Sequence, residues 1–159
     1  MMPISLDLVL RLSLATLLGS LIGLNRDLHG KPAGLRTHAL VALGSALIVF
    51  VSGQLPGAEG SHAADAQSRA IQGLITGIGF LGAGVILHSV NEKRVHDLTT
   101  AAAVWVAALF GAACGAGAFE PVLVACALLA IVLMFGGRIE RAIHRQIRPH
   151  VDDVGTPKL

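Results

Sequence analysis

A chain of 159 residues with 53% hydrophobic residues, 14% charged residues and a mean hydropathy of +0.70 has too little polar surface to keep its apolar helices from water in a soluble fold. Its formal charge of +2 is too small to point to nucleic acid, and its 19 Gly follow no fixed period, which excludes collagen-like and low-complexity chains. The two cysteines, Cys114 and Cys126, lie inside apolar stretches, where a thiol behaves as a small apolar group and a structural disulfide is not expected.

Five apolar stretches account for most of the chain. At about 1.5 Å of rise per residue, each is long enough to cover most of a hydrocarbon layer about 30 Å thick. The first runs from Leu6 to Leu24. No Lys or Arg precedes it, so it lacks the basic leader of a cleavable signal and is expected to remain as a helix. It carries Arg11 inside the span, where a cation costs on the order of 2.5 to 3.5 kcal/mol at mid-bilayer. Asp7 lies one turn earlier on the same face. Two readings of Arg11 stay open: it snorkels to the interface, or it bonds another helix.

The second span runs from Thr37 to Leu55, the third from Ala70 to Leu87, the fourth from Thr99 to Gly117 and the fifth from Phe119 to Gly136. Lipid tails are as apolar as Leu, so membrane helices associate by close backbone approach, which needs small residues at four-residue spacing. The first span supplies Ala15, Gly19 and Gly23. The third supplies Gly73 and Gly77, followed by Gly79, Gly82 and Gly84. The fourth supplies Thr99, Ala103, Ala107, Gly111 and Gly115. The first, third and fourth spans are therefore expected to form the tight centre, with the Val- and Leu-rich fifth at the periphery. Packing alone explains these glycines; for Gly79 to Gly84 an unwound or pore-lining backbone is the competing reading.

Lys and Arg gather in alternate connections. Arg26, Lys31 and Arg36 follow the first span, Lys93 and Arg94 follow the third, and Arg138, Arg141, Arg145, Arg148 and Lys158 follow the fifth, which leaves only Arg69 in the opposite loops. The positive-inside rule then predicts an all-α polytopic bundle of five transmembrane helices, amino terminus outside and carboxyl terminus cytoplasmic. Residues 1–137 form the membrane domain, and residues 138–159 form a short basic tail that reads as a surface anchor. With that topology, polar residues converge on the cytoplasmic rim: Arg26 and Asp27 after the first span, Arg36, Thr37 and His38 at the second, and Asp97, Thr99 and Thr100 at the fourth. Helix amino termini at that rim favour an anion or a carboxylate such as Asp27, which is expected to pair with Arg36 or with amides near Thr99. The plainer reading leaves Asp97, Thr99 and Thr37 as helix caps and the basic residues as topology charges.

Motifs of metalloproteases, serine hydrolases and phosphate-binding loops are absent, so no catalytic residue, cofactor or resident metal is expected. Direct Mg²⁺ binding is expected to be poor, because the ion wants oxygen ligands and usually carboxylates, and the loops offer Asp27, Glu92 and Asp97 among five basic residues.

Between Leu6 and Gly136 the chain resembles the MgtC/SapB family of bacterial inner-membrane proteins. The motifs that carry the likeness are Gly23-Leu24-Asn25-Arg26-Asp27, Gly30 through His38, Gly77 through Ile86, Leu98-Thr99-Thr100-Ala101-Ala102, and Trp105-Val106-Ala107. The resemblance implies a five-span, multi-pass protein of the inner membrane, a family link to magnesium limitation and virulence, and a partner among membrane proteins such as an ATPase. Asn25 stands where the family pattern commonly has Glu, and Asp27 is the shorter acid in place of a second Glu. Two functions remain in view. One is a non-enzymatic regulator acting through helix contacts, with a partner or with a second copy of itself; the other is an ion transporter or channel using the Gly-rich third span.

Overall fold

The computed structural model describes residues 5–55, 60–87 and 98–147. Among them the chain is all-helical: α1 Leu6–Leu28, α2 Leu35–Ser52, α3 Ser61–Leu87, α4 Leu98–Ala116 and α5 Phe119–Ile147. All five are long and apolar enough to cross a membrane. Asp97, the loop basics Lys93 and Arg94, and the tail beyond Ile147 lie outside the described residues.

The helix ends follow local chemistry. Ser5 caps α1 by accepting the Leu8 amide at 3.2 Å, and Asp7 adds negative charge in the first turn. The helix does not stop at Leu24. It continues through Leu28 and ends where Gly30 takes φ +61, with the Gly30 amide bonded to the Asp27 carbonyl and the Lys31 amide to the Arg26 carbonyl. That crossed pair of bonds is a Schellman closure, which needs a residue free to turn left-handed. Arg26 and Asp27 therefore sit on the last turn of a helix, rigidly placed, and not on a loop. At its amino end α3 reaches back to Ser61, nine residues before the apolar run, because Ala63, Ala64, Ala66 and Gln67 favour helix. Helix α5 continues past Gly136 to Ile147, so the basic segment starts as helix.

The chain divides into two units, Met1–Val122 and Leu123–Leu159. In the first, the core is made by α1, α2 and α4, with α3 packed on α4 and α2. The expectation that α3 belongs to the tight centre is corrected: α2 takes that place. Its inward face, His38, Ala42, Ser45, Ala46, Val49 and Ser52, is small and buried. Gly111 and Gly115 of α4 lie against the carbonyls of Ala42 and Ala46, and Gly19 of α1 lies against the carbonyl of His38. Gly23 sits on the Gly34–Leu35 backbone. By contrast Gly73, Gly77, Gly79 and Gly84 of α3 have nothing within 4 Å of where a side chain would begin, and Gly82 meets only the Ala101 methyl, at 3.7 Å.

The buried face of α4 also differs from the one expected. A strict four-residue stripe from Thr99 drifts about 40° per step on a helix of 3.6 residues per turn. The buried line instead runs Thr100, Val104, Ala107 with Ala108, Gly111 and Gly115, while Thr99 is exposed and Ala103 half-buried. Ala108, off that four-residue stripe, is 2% exposed.

In the second unit, α5 is apolar on every side as far as Gly137, as suits a membrane-spanning helix.

Candidate functional site

One end of the first unit holds the polar cluster. Arg26 is 5% exposed, and its guanidinium donates to the Thr99 hydroxyl at 3.3 Å and to the Thr100 hydroxyl. The last turn of α1 is thereby clipped to the first turn of α4. Thr100 is fully buried and Thr99 exposed, so the inner of the two bonds is the one shielded from solvent. Bonds from a charged donor in such a setting are worth about 1.5 to 3 kcal/mol.

Asp27 points the other way, to α2. Gly34, the residue that opens α2, has no side chain to cap it, and the Asp27 carboxylate takes over that role by accepting the Leu35 amide at 2.9 Å. It fills the space where a Gly34 side chain would stand, so Gly34 and Asp27 are fitted to each other. The expected pairing of Asp27 with Arg36 or with amides near Thr99 is not the one formed. Arg36, Thr37 and Asp27 are exposed. Because Asn caps a helix as well as Asp does, Asp27→Asn is expected to change stability by less than about 0.5 kcal/mol and Asp27→Ala to cost about 1 kcal/mol. Thermal unfolding of the purified protein in detergent measures both.

His38 is fully buried in the first turn of α2. Its Nδ1 lies 3.0 Å from the Gly34 carbonyl, a geometry in which Nδ1 carries the proton and donates it. Nε2 is then the lone-pair nitrogen, and it has no hydrogen-bond partner among the described residues. Of the eight predicted rim residues, Asp97 lies outside the described residues; Arg26, Thr99 and Thr100 are bonded together, Asp27 and His38 are bonded to the α2 amino-terminal turn, and Arg36 and Thr37 stand outside these bonds.

The opposite end carries a second clip. Arg11 Nε is 2.9 Å from the Asp7 carboxylate, Nη1 donates to the Gly115 carbonyl at 2.9 Å, and the guanidinium lies 5.7 Å from the Phe50 ring centroid. Of the two readings left open for Arg11, the interhelical one is realised. A cation at the carboxyl end of α4 also meets the negative end of that helix dipole. Gly117, at φ +77, follows at once; a side chain there would start 2.8 Å from the guanidinium carbon. Sequence reading missed that the two arginines of α1 hold α4 at both of its ends. The available signal was their 15-residue separation, about four turns, which puts both on nearly the same side of α1.

Between the clips the α1–α2–α4 interface is filled by Ala15, Gly19, Ala42, Ala46, Val104, Ala107, Ala108 and Gly111, all buried. The Ser45 hydroxyl in this zone is returned to the Val41 carbonyl at 2.7 Å. No group of three or more His, Cys, Asp or Glu is placed to hold a metal ion among the described residues.

The sequence pattern described as the MgtC family matches residues 12–142. Similar proteins include Protein SrpB of Synechococcus elongatus, 44% identical over 86% of this chain and 78% of its own length. "Putative magnesium transporter YhiD" of Escherichia coli K12 is 41% identical over 72% of this chain and 53% of its own length. Protein MgtC of Salmonella typhimurium is 40% identical over 76% and 48%. This chain thus spans about half the length of the latter two. No solved structure matches it significantly.

Proposed function

The chain belongs to the MgtC family, and from that premise we propose that it is a non-enzymatic regulator in the bacterial inner membrane, linked to magnesium homeostasis and acting through contacts with membrane partners. The link to magnesium rests on the relatives named MgtC and YhiD. The Arg26 end faces the cytoplasm, in keeping with the distribution of Lys and Arg.

The observation that carries a regulator over a conduit is the packed middle of the α1–α2–α4 core. An ion crossing it needs polar groups in succession. The charged groups of this core collect instead at two ends, around Arg26 and around Arg11; alanines and glycines in backbone contact fill the space between, and the buried Ser45 hydroxyl there is spent on the Val41 carbonyl of its own helix. The Gly-rich third helix, on which a channel reading leans, keeps Gly73, Gly77, Gly79 and Gly84 open along a helix with an unbroken backbone ladder and no unwound segment.

Purified protein in liposomes loaded with a Mg²⁺ indicator is expected to give no flux above protein-free vesicles, while the same protein supports growth of a deletion strain at low magnesium. Saturable Mg²⁺ flux that the Arg26→Ala protein loses would replace the regulator reading by the transporter.

A further inference from the structure

The first turn of α2 is seated on α1 through its backbone. Gly19 of α1 lies against the His38 carbonyl, Gly23 lies on the Gly34–Leu35 backbone, and the Asp27 carboxylate accepts the Leu35 amide. His38 closes this turn from the inside. It is fully buried, its Nδ1 is spent on the Gly34 carbonyl, and its Nε2 is buried with no hydrogen-bond partner among the described residues. A bare buried nitrogen needs a reason, because an apolar ring of similar size would fill the same space without the cost of stripping that atom of water. What the lone pair can do, and a carbon cannot, is take up a proton.

The seated turn has no room for that proton. Arg26 and Asp27, on the last turn of α1, are the charged groups that act on the ring. Arg26 is buried and already a cation, whereas Asp27 is exposed and engaged with the Leu35 amide. The amino termini of α2 and α4 add the positive ends of two helix dipoles at this rim. Helix α4 carries no charged residue, and Arg36 of α2 is exposed. His62, Asp65 and Arg69 of α3 belong to its opposite end, near Gln67, which meets Gly53 at the far end of α2. The connection 88–97 lies outside the described residues. A proton on Nε2 therefore sets a second cation beside Arg26 and creates a buried N–H with no acceptor.

We propose that His38 is a proton-operated latch on the first turn of α2. Neutral His38 leaves the turn seated; the imidazolium is accommodated only when the turn lifts from Gly19 and Gly23 and water reaches the ring. The Asp27 cap is lost with it, since the Leu35 amide belongs to the same turn. The ring carries one proton in the seated form and two in the lifted form below about pH 6.5, so acid favours lifting and the effect fades as pH rises above that value. An imidazole that titrates only in the lifted form shifts the balance about tenfold between pH 7.5 and 5.5. On the topology argued above the proton comes from the cytoplasm, and the latch stands whether the protein regulates or transports.

Hydrogen–deuterium exchange of the full chain in lipid nanodiscs, corrected for the intrinsic pH dependence of amide exchange, tests it at residues 35–42. Exchange there is expected to rise about tenfold between those two pH values, while the α2–α4 seam around Ala46 and Gly111 stays level. His38→Gln and His38→Asn, which do not titrate and keep an N–H for the Gly34 carbonyl, are expected to abolish the response. Nitrogen NMR of the histidine rings in the parent protein reads the same site without any substitution, and is expected to show His38 neutral at both pH values in the seated majority. No rise in the parent, the same rise in His38→Gln or His38→Asn, a rise spread evenly over all helices, or a doubly protonated His38 beneath a protected turn would each overturn the proposal.

Discussion

Thr100→Val is expected to destabilise the protein by about 3 kcal/mol, and Thr99→Val by less than about 1 kcal/mol, although both remove a hydroxyl that accepts from the same arginine. The difference follows from burial. Thr100 is inaccessible to solvent, so its loss leaves a buried cation short of an acceptor; Thr99 is exposed, and water replaces its oxygen. Arg26→Ala should cost a similar 3 kcal/mol or so, because it removes the charged donor bonded to the buried Thr100 hydroxyl and the packed stem of a 5%-exposed side chain. Lys at position 26 should recover only part of the loss, since one ammonium lacks the fork that reaches two hydroxyls. Unfolding by steric trapping or by SDS titration in mixed micelles measures all four variants. Equal losses at Thr99 and Thr100 would mean that Arg26 is held mainly by solvent.

The five helices were legible because hydrophobicity at this length has one physical outlet. Partner choice among them was legible only in part. Glycine spacing marks a helix capable of close approach, and on that signal α3, with its Gly73-x-x-x-Gly77, ranked above α2. The small face of α2 is written in Ala42, Ser45 and Ala46, where Ala and Ser serve as well as Gly, and that signal was missed. The glycine of a close contact need be on one helix only: Gly111 admits the Ala42 carbonyl, and Ala42 needs no glycine in return. The polar rim was legible as a set of helix ends and illegible as bonds. Whether Asp27 turned to Arg36 or to the Leu35 amide depended on α1 continuing for one more turn, and the decisive residue was Gly30, whose left-handed closure sets where that turn stops. Arg11 was recognised as needing a partner, but a backbone carbonyl such as that of Gly115, 104 residues away, leaves no mark in a sequence.

Gly111→Ala is expected to disrupt the core, whereas Gly79→Ala is expected to be silent or slightly stabilising, although each adds one methyl group to a glycine inside an apolar helix. At Gly111 the new carbon lands on the Ala42 carbonyl, 2.8 Å from its carbon and 2.9 Å from the Ala42 Cα, and these are backbone atoms with no rotamer to yield. Helices α2 and α4 must separate, and the small dispersion contacts along the whole seam weaken together. Overpacking of this kind costs about 1 to 3 kcal/mol, with the upper end expected where both sides are backbone. At Gly79 nothing lies within 4 Å, so the methyl meets open space and the helix gains up to about 1 kcal/mol of intrinsic propensity. Ala108→Leu belongs with Gly111→Ala and not with the tolerated changes, because Ala108 is buried beside Ala107; a Leu at exposed Ala102 is the matched control. Unfolding free energies in micelles rank the four. If Gly111→Ala proves as mild as Gly79→Ala, the α2–α4 seam is looser than its geometry, and the packed middle no longer argues against an ion path.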